Sequence, residues 1–181
     1  MRQAATAPRV IVWDVEDQWS ALPGFRRVTT PQELAAIATS EAGPVRLAFV
    51  PAANMQQQFD TWAHAALHWG RHFGPCVVVA EELAGVSHAG KAPGWWHALL
   101  SRGLKRGITI YAISQRWAEA DKTTIGNASR FVIFRALPMD AEYIARRAGV
   151  PLEVVQSLQP LEYLERDHLQ GITSPVQHLK F

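Results

Sequence analysis

With a single cysteine in 181 residues, Cys76, the chain can build neither an internal disulfide nor a cysteine-based zinc site. Its place at the head of an apolar run marks it as a buried structural thiol. No apolar stretch approaches the length needed to cross a bilayer, and residues 1–9 lack the apolar core of a signal peptide. The sequence therefore predicts a soluble protein. A surplus of one charge is also missing. Lys and Arg number 18 against 16 Asp and Glu, leaving +2, too mild an excess to announce a nucleic-acid binder by itself. There is no internal repeat and no low-complexity tract. The phosphate-cradling pattern Gly-x-x-x-x-Gly-Lys-Ser/Thr occurs nowhere. The one Gly-Lys pair, Gly90-Lys91, is followed by Ala92 where a magnesium-binding hydroxyl belongs, and no glycine-rich turn precedes it. Without a backbone nest and its lysine, phosphates have little to hold them.

What the chain does contain is an alternation of short apolar runs with helical periodicities, and its length suits one domain spanning residues 1–181. Arg9 to Asp14, Val45 to Val50, Cys76 to Ala80, Ile108 to Ser114 and Phe131 to Phe134 read as strands. Pro31 to Thr39 reads as a helix, with Thr30 as its cap and Glu33 three residues later. Met55, Phe59, Trp62, Ala66, Trp69 and Phe73 form one apolar stripe over five turns, and Gly74-Pro75 ends it. Val86 to Gly94 is a loop. Trp95 to Leu104, Met139 to Ala148 and Leu152 to Leu158 complete the helices, and residues 161–181 read as one or two edge strands or a tail around Gly171. Unbroken β-branched runs separated by helices predict an α/β fold, a mainly parallel sheet with helices on both faces.

Two strand ends carry the candidate chemistry. Val77-Val78-Val79-Ala80 runs into Glu81-Glu82, and Ile108 to Ile113 runs into Ser114-Gln115. In phosphoryl transfer a carboxylate at a strand tip can hold magnesium while a neighbouring one polarises the attacking water. A glutamine on the next strand can donate to a phosphate and accept from water. Each feature is also what an ordinary solvated strand end looks like. The segment between them, Trp95 to Gly107, leads through Arg102-Gly103-Leu104-Lys105-Arg106 into the strand ending Ser114-Gln115-Arg116. This pattern resembles the FtsK–HerA superfamily of DNA-pumping ATPases, in particular compact phage packaging and zonula-occludens-toxin-like members. Val10 to Asp14 with Trp19, Asp121-Lys122-Thr123, Phe131 to Arg135 and Asp140 extend the resemblance over roughly Val10 to Leu164.

The resemblance implies a RecA-like P-loop NTPase core missing its first βα unit, with ATP and Mg as cofactors. Glu81, Glu82 and Gln115 would be its catalytic residues. Glu81 would also hold Mg, in a Walker B position that normally reads Asp-Glu; the alternative is that the ligand is lost at Ala80. Asp14 would touch the cofactor. Arg102 or Arg106 would be the arginine finger, because Leu104 stands where relatives tend to have Arg. The implied partners are further copies of the chain, other phage proteins, and DNA, with no membrane span, in the cytoplasm or the virion. A catalytic protein would need its phosphate loop from an upstream segment or another polypeptide. A degenerate, non-hydrolysing assembly module of the same fold is the alternative, and an unrelated α/β enzyme using Glu81 and Glu82 is a third. His64, His68 and His72 share one helix edge, which solvent or a partner explains better than a metal. Arginines cluster at Arg26-Arg27, at Arg102, Lys105 and Arg106, and at Arg146-Arg147. They read as surface charge or, on assembly, as a DNA-facing patch.

Overall fold

Apolar runs that carry no alternation must be buried on both sides, and a parallel sheet is where that happens. The computed structural model describes residues 7–40 and 43–180. One unit comprises the chain up to Gln115 together with Ala120–Thr124, and a second comprises Arg116–Glu119 and the chain from Ile125 onward.

The first unit is a five-stranded parallel sheet. Its strands are β1 (Arg9–Trp13), β2 (Arg26–Val28), β3 (Val45–Phe49), β4 (Cys76–Ala80) and β5 (Ile108–Ala112). They lie in the order β2-β3-β1-β4-β5. Register is uniform across the middle: Trp13 stands beside Phe49 and Ala80, and Ala80 beside Ala112. All these strands therefore finish at one edge. Helices α1 (Pro31–Ser40), α2 (Met55–Phe73) and α3 (Gly94–Arg102) return the chain between strands and pack side by side. Thr30 caps α1 as expected, its hydroxyl accepting from the Glu33 amide at 3.2 Å.

The apolar stripe of α2 builds the core. Phe59 and Trp62 lie against Trp13 of the central strand, with ring centroids 5.1 and 5.9 Å apart, and Trp13 stacks on Phe49 at 5.7 Å. Trp96 of α3 closes the cluster over Phe59 at 5.4 Å. Each such side chain contributes about 1.5–3 kcal/mol through burial, and well-oriented ring pairs add about 0.5–1.5 kcal/mol. Five of the seven tryptophans are buried, so the core absorbs most of that surplus. The other sheet face carries Val10, Val12, Ala48 and Val79. Trp19 and Phe25, from the loop after β1, pack on it. The parallel sheet flanked by helices is thus the observed fold, and a loop supplies aromatic cover on this second face. Burial pushes the Cys76 thiol up to about 12, so it is an inert packing group.

The second unit is antiparallel. β6 (Arg130–Phe134) pairs with β7 (Glu162–Asp167), and β7 also pairs with β8 (Ile172–Thr173) and β9 (Gln177–His178). The Phe131–Phe134 run, a strand at first sight of the same kind as the others, is therefore not in the parallel sheet. Its alternation explains why. Phe131 and Ile133 point into a core with Leu164, while Val132 and Phe134 are exposed, which is the signature of a half-buried antiparallel strand. Helices α4 (Lys122–Asn127), α5 (Pro138–Ala148) and α6 (Leu152–Ser157) complete the chain. Ile144, Ala148 and Val155 of α5 and α6 join that core. Asp140, buried in the first turn of α5, lies 3.5 Å from the Arg116 guanidinium. The strands β2 and β8 and the helix α4 are too short to show a period in the sequence.

Candidate functional site

The site grows from the common strand edge. The ladder continues one step past it: the Ile113 amide donates to the Ala80 carbonyl at 2.8 Å, and the Asp14 amide to the Phe49 carbonyl at 2.9 Å. Asp14, Glu81 and Ile113 are therefore fixed by backbone before any side chain acts. The Leu83 amide reaches the Ile113 carbonyl at 3.0 Å, which forces the chain to turn at Glu82. That residue takes φ 45°, ψ 47°, the left-handed region, at a cost of roughly 1–2 kcal/mol for a residue with a side chain.

The turn aims Glu82 at the neighbouring strand end. Gln115 Nε2 donates to Glu82 Oε1 at 2.7 Å. Glu81, one residue earlier, points the other way along the edge and accepts from Trp19 Nε1 at 2.6 Å. Trp19 is held there by Asp14. Asp14 is fully buried, and its Oδ1 accepts from the Gln18 amide at 2.9 Å while its Oδ2 accepts from the Trp19 and Ser20 amides, both at 3.0 Å. A chain of positioning runs from Asp14 through its loop to Trp19 and on to Glu81. Both oxygens of Asp14 are committed to that loop.

Burial pushes the Glu81 carboxyl above the ordinary glutamate range. The Trp19 hydrogen bond partly counters this, and the nearby carboxylates of Asp14, Glu82 and Glu16 push it further up. A half-buried acid beside a second acid is a common arrangement at sites that handle protons or cations.

Structure thus brings together Glu81, Glu82 and Gln115, and adds Trp19 as the group that orients Glu81. The sequence signal for Trp19 was its spacing after the strand and Asp14. Arg102 and Arg106 are not brought to this edge. Arg102 ends α3 and Arg106 precedes β5, so the length of β5, ~17 Å at ~3.3 Å per residue, separates Arg106 from Gln115. The oxygen donors Glu81 and Glu82 suit a hard cation such as Mg²⁺, which takes one or two carboxylates and completes its shell with water and phosphate oxygens. Among the described residues no group of three His, Cys, Asp or Glu is placed to hold a metal. His64 stacks on Trp95 at 3.9 Å, and the rings of His68 and His72 lie 4.2 Å apart.

The described acids of this unit all lie on one side of the sheet. Asp14, Glu16 and Asp17 follow β1, and Glu81 and Glu82 follow β4; Glu33, Asp60 and Asp121 lie on the same side, at or near helix starts. At the opposite edge, where the strands begin, stand Arg9, Arg46, Arg71, Arg102, Lys105 and Arg106, with no acid among the described residues.

No family model matches the chain. It is 34% identical over 119 residues to Protein P9 of Pseudoalteromonas phage PM2, which is 65% of this chain and 52% of that protein. The chain thus spans about half the length of this relative. Among solved structures, it is similar to the genome packaging NTPase B204 from Sulfolobus turreted icosahedral virus 2 in complex with AMPPCP. That match has 14% identity and a TM-score of 0.75, covering 96% of this chain and 83% of that one. It is similar also to B204, the DNA-packaging ATPase from Sulfolobus turreted icosahedral virus, with 16% identity and a TM-score of 0.70 over 96% of this chain and 83% of that one. The parallel sheet and its helices therefore have the fold of the viral genome packaging NTPases, and the chain resembles a phage protein in sequence.

Proposed function

We infer that this chain is the acid-and-sensor part of a phage or mobile-element DNA-packaging ATPase of the FtsK–HerA type. The observation that carries the reading is the Gln115–Glu82 hydrogen bond beside Glu81, at the shared carboxyl edge of adjacent parallel strands. Ligands in open α/β sheets bind outside that edge. In this reading Glu82 polarises the attacking water and Gln115 holds Glu82 and senses the phosphate. Glu81, steadied by Trp19, offers its carboxylate to magnesium. Asp14 serves indirectly, by holding the loop that carries Trp19. ATP with Mg²⁺ is the cofactor, and its phosphates are gripped by a loop from another segment or polypeptide, since these 181 residues contain no such motif. Alone, the chain does not hydrolyse ATP at a useful rate. It works as an oligomer, on DNA, in the cytoplasm or in association with the virion.

Titration with a fluorescent ATPγS analogue and Mg²⁺, on the chain joined to the segment or polypeptide that supplies the phosphate loop, tests the reading. Saturable binding that weakens about fivefold or more in Glu82→Ala and Gln115→Ala, on the scale of one lost charge-assisted contact, supports it. Absence of saturable binding overturns it and leaves a non-catalytic assembly module of the same fold.

A further inference from the structure

The three arginine clusters visible in the sequence have different surroundings. Arg26 pairs with Glu33 at 3.1 Å and Arg27 with Asp17 at 2.8 Å. Arg146 and Arg147 both lie over the Tyr143 ring, at 5.8 and 5.4 Å from its centroid. Arg102, Lys105 and Arg106 belong to the edge that carries no acid among the described residues, and Arg71 joins them there. The helix α2 ends against the start of β5: a Cβ on Gly70 would meet Ile108 side-chain atoms at 2.4 Å, and one on Gly107 would meet Pro75 at 3.3 Å. That packing sets Arg71, at the end of α2, and the turn Leu104–Arg106 on one corner. Arg9 is spent on the Phe73 and Gly43 carbonyls and Arg46 on that of Ala7. His68 lies next to the corner and has its pKa lowered, first by burial and then by His72, His64 and Arg71.

We propose that Arg71, Arg102, Lys105 and Arg106 form a contact face for the phosphate backbone of DNA at the sheet edge opposite Glu81 and Glu82. The inference rests on the packaging-ATPase reading for its choice of polyanion, while the face itself is set by charge and packing. Four cations from two chain segments, with no described acid between them, can each neutralise a phosphate without breaking an internal pair. Guanidinium groups, three of the four, suit phosphate oxygens. An anionic membrane fits less well. Among the described residues, Leu104, 85% exposed, is the one large apolar side chain fully open at this corner, and binding at a lipid surface scales with buried apolar area. The arrangement leaves nucleotide and DNA on opposite edges of one sheet, so both can be bound together.

The test measures fluorescence anisotropy of a labelled DNA duplex with the full chain across a range of salt, beside the fluorescent ATPγS titration on the same proteins joined to the segment that supplies the phosphate loop. Wild type binds DNA, and its affinity falls with salt with a log–log slope of about −3 to −4, for three or four phosphates neutralised. R102Q/K105Q/R106Q lowers DNA affinity at least about tenfold and flattens that slope by about 2–3. R26Q/R27Q, at the other cluster, leaves the DNA affinity as it was. The proposal is overturned by a wild type without DNA affinity, by a triple variant that binds DNA as wild type does, or by tighter binding to phosphatidylserine vesicles than to duplex. Retained nucleotide binding with no DNA binding removes this face and leaves the packaging-ATPase reading standing. DNA binding lost in the triple variant, in a chain that never binds nucleotide even when so joined, removes that reading and keeps the face.

Discussion

Gln115 Nε2 lies 2.7 Å from Glu82 Oε1, joining the tips of two neighbouring parallel strands at the edge where their ladder ends. Both side chains are in contact with solvent, so the bond contributes little to stability. Gln115→Ala is expected to change the unfolding free energy by less than about 0.5 kcal/mol, as ordinary surface substitutions do, while weakening ATPγS binding. The chain alone should turn over ATP more slowly than about 1 s⁻¹, the low end for phosphoryl-transfer enzymes. A phosphate-release assay showing faster turnover, abolished by Glu82→Gln, would falsify the reading that the phosphate grip comes from elsewhere.

Asp14 has the opposite balance. It is fully buried and accepts three loop amides. Removing its carboxylate leaves those donors without an acceptor, a penalty that outweighs any gain from uncharging the site. Asp14→Ala should cost about 2–3 kcal/mol in urea unfolding. It should also loosen Trp19 and, through it, Glu81. Asp14→Asn keeps one acceptor oxygen and should cost less. A loss under about 0.5 kcal/mol, the range of an ordinary surface change, would show that the loop is held by something else.

Glu81 makes stability depend on pH with a definite sign. Its folded-state pKa is raised, chiefly by burial, above the ordinary 4.5, so the folded chain holds this proton more tightly than the unfolded one. That term favours folding below the unfolded value and is lost as pH rises through the raised one. Glu81→Gln abolishes the term and keeps an acceptor for Trp19 Nε1. The melting temperature of Glu81→Gln relative to wild type should therefore rise between about pH 4 and about pH 8. An offset that stays constant over that range in calorimetry would mean that Glu81 is not perturbed in the folded chain.

The parts of this architecture legible in the sequence are those with a strong local pattern. The stripe of α2 and the β-branched run before Glu81-Glu82 declared helix, strand and edge, and parallel pairing then obliged Glu82 and Gln115 to meet. Other features depend on distant contacts. Trp19 could be seen to follow Asp14 at a suggestive distance, but its bond to Glu81 needs the register of β1 against β4. That Phe131–Phe134 forms an antiparallel strand was written in its alternation, though a run of four is short for telling period two from continuous burial. That no described acid stands near Arg102, Lys105 and Arg106 was invisible, because it depends on which acids lie on the other edge. The capping of the loop by Asp14 could not be told from the sequence, because a ligand acid after a strand and a loop-capping acid share one sequence pattern.

Gly70 offers a test in which propensity and packing disagree. It lies inside α2, where glycine costs about 1 kcal/mol relative to alanine, so sequence alone predicts that Gly70→Ala stabilises. In the fold, a Cβ there would stand 2.4 Å from both Cγ1 and Cδ1 of Ile108, and 3.4 Å from Cys76 Sγ. Ile108 is buried at the start of β5 and is pinned by the strand, so neither side can yield cheaply. Overpacking of this kind costs about 1–3 kcal/mol, which exceeds the propensity gain. Gly70→Ala should thus lower stability by up to about 2 kcal/mol, the overpacking cost less that gain. Ile108→Ala alone should also destabilise, by about 2–4 kcal/mol through the cavity it leaves. Together the two changes should cost less than their sum, because the methyl at position 70 fills space vacated at 108. A urea double-mutant cycle measures this coupling directly. If Gly70→Ala stabilises, or the two effects simply add, then α2 does not close on β5 at this point, and Arg71 is no longer tied to the corner that carries Lys105 and Arg106.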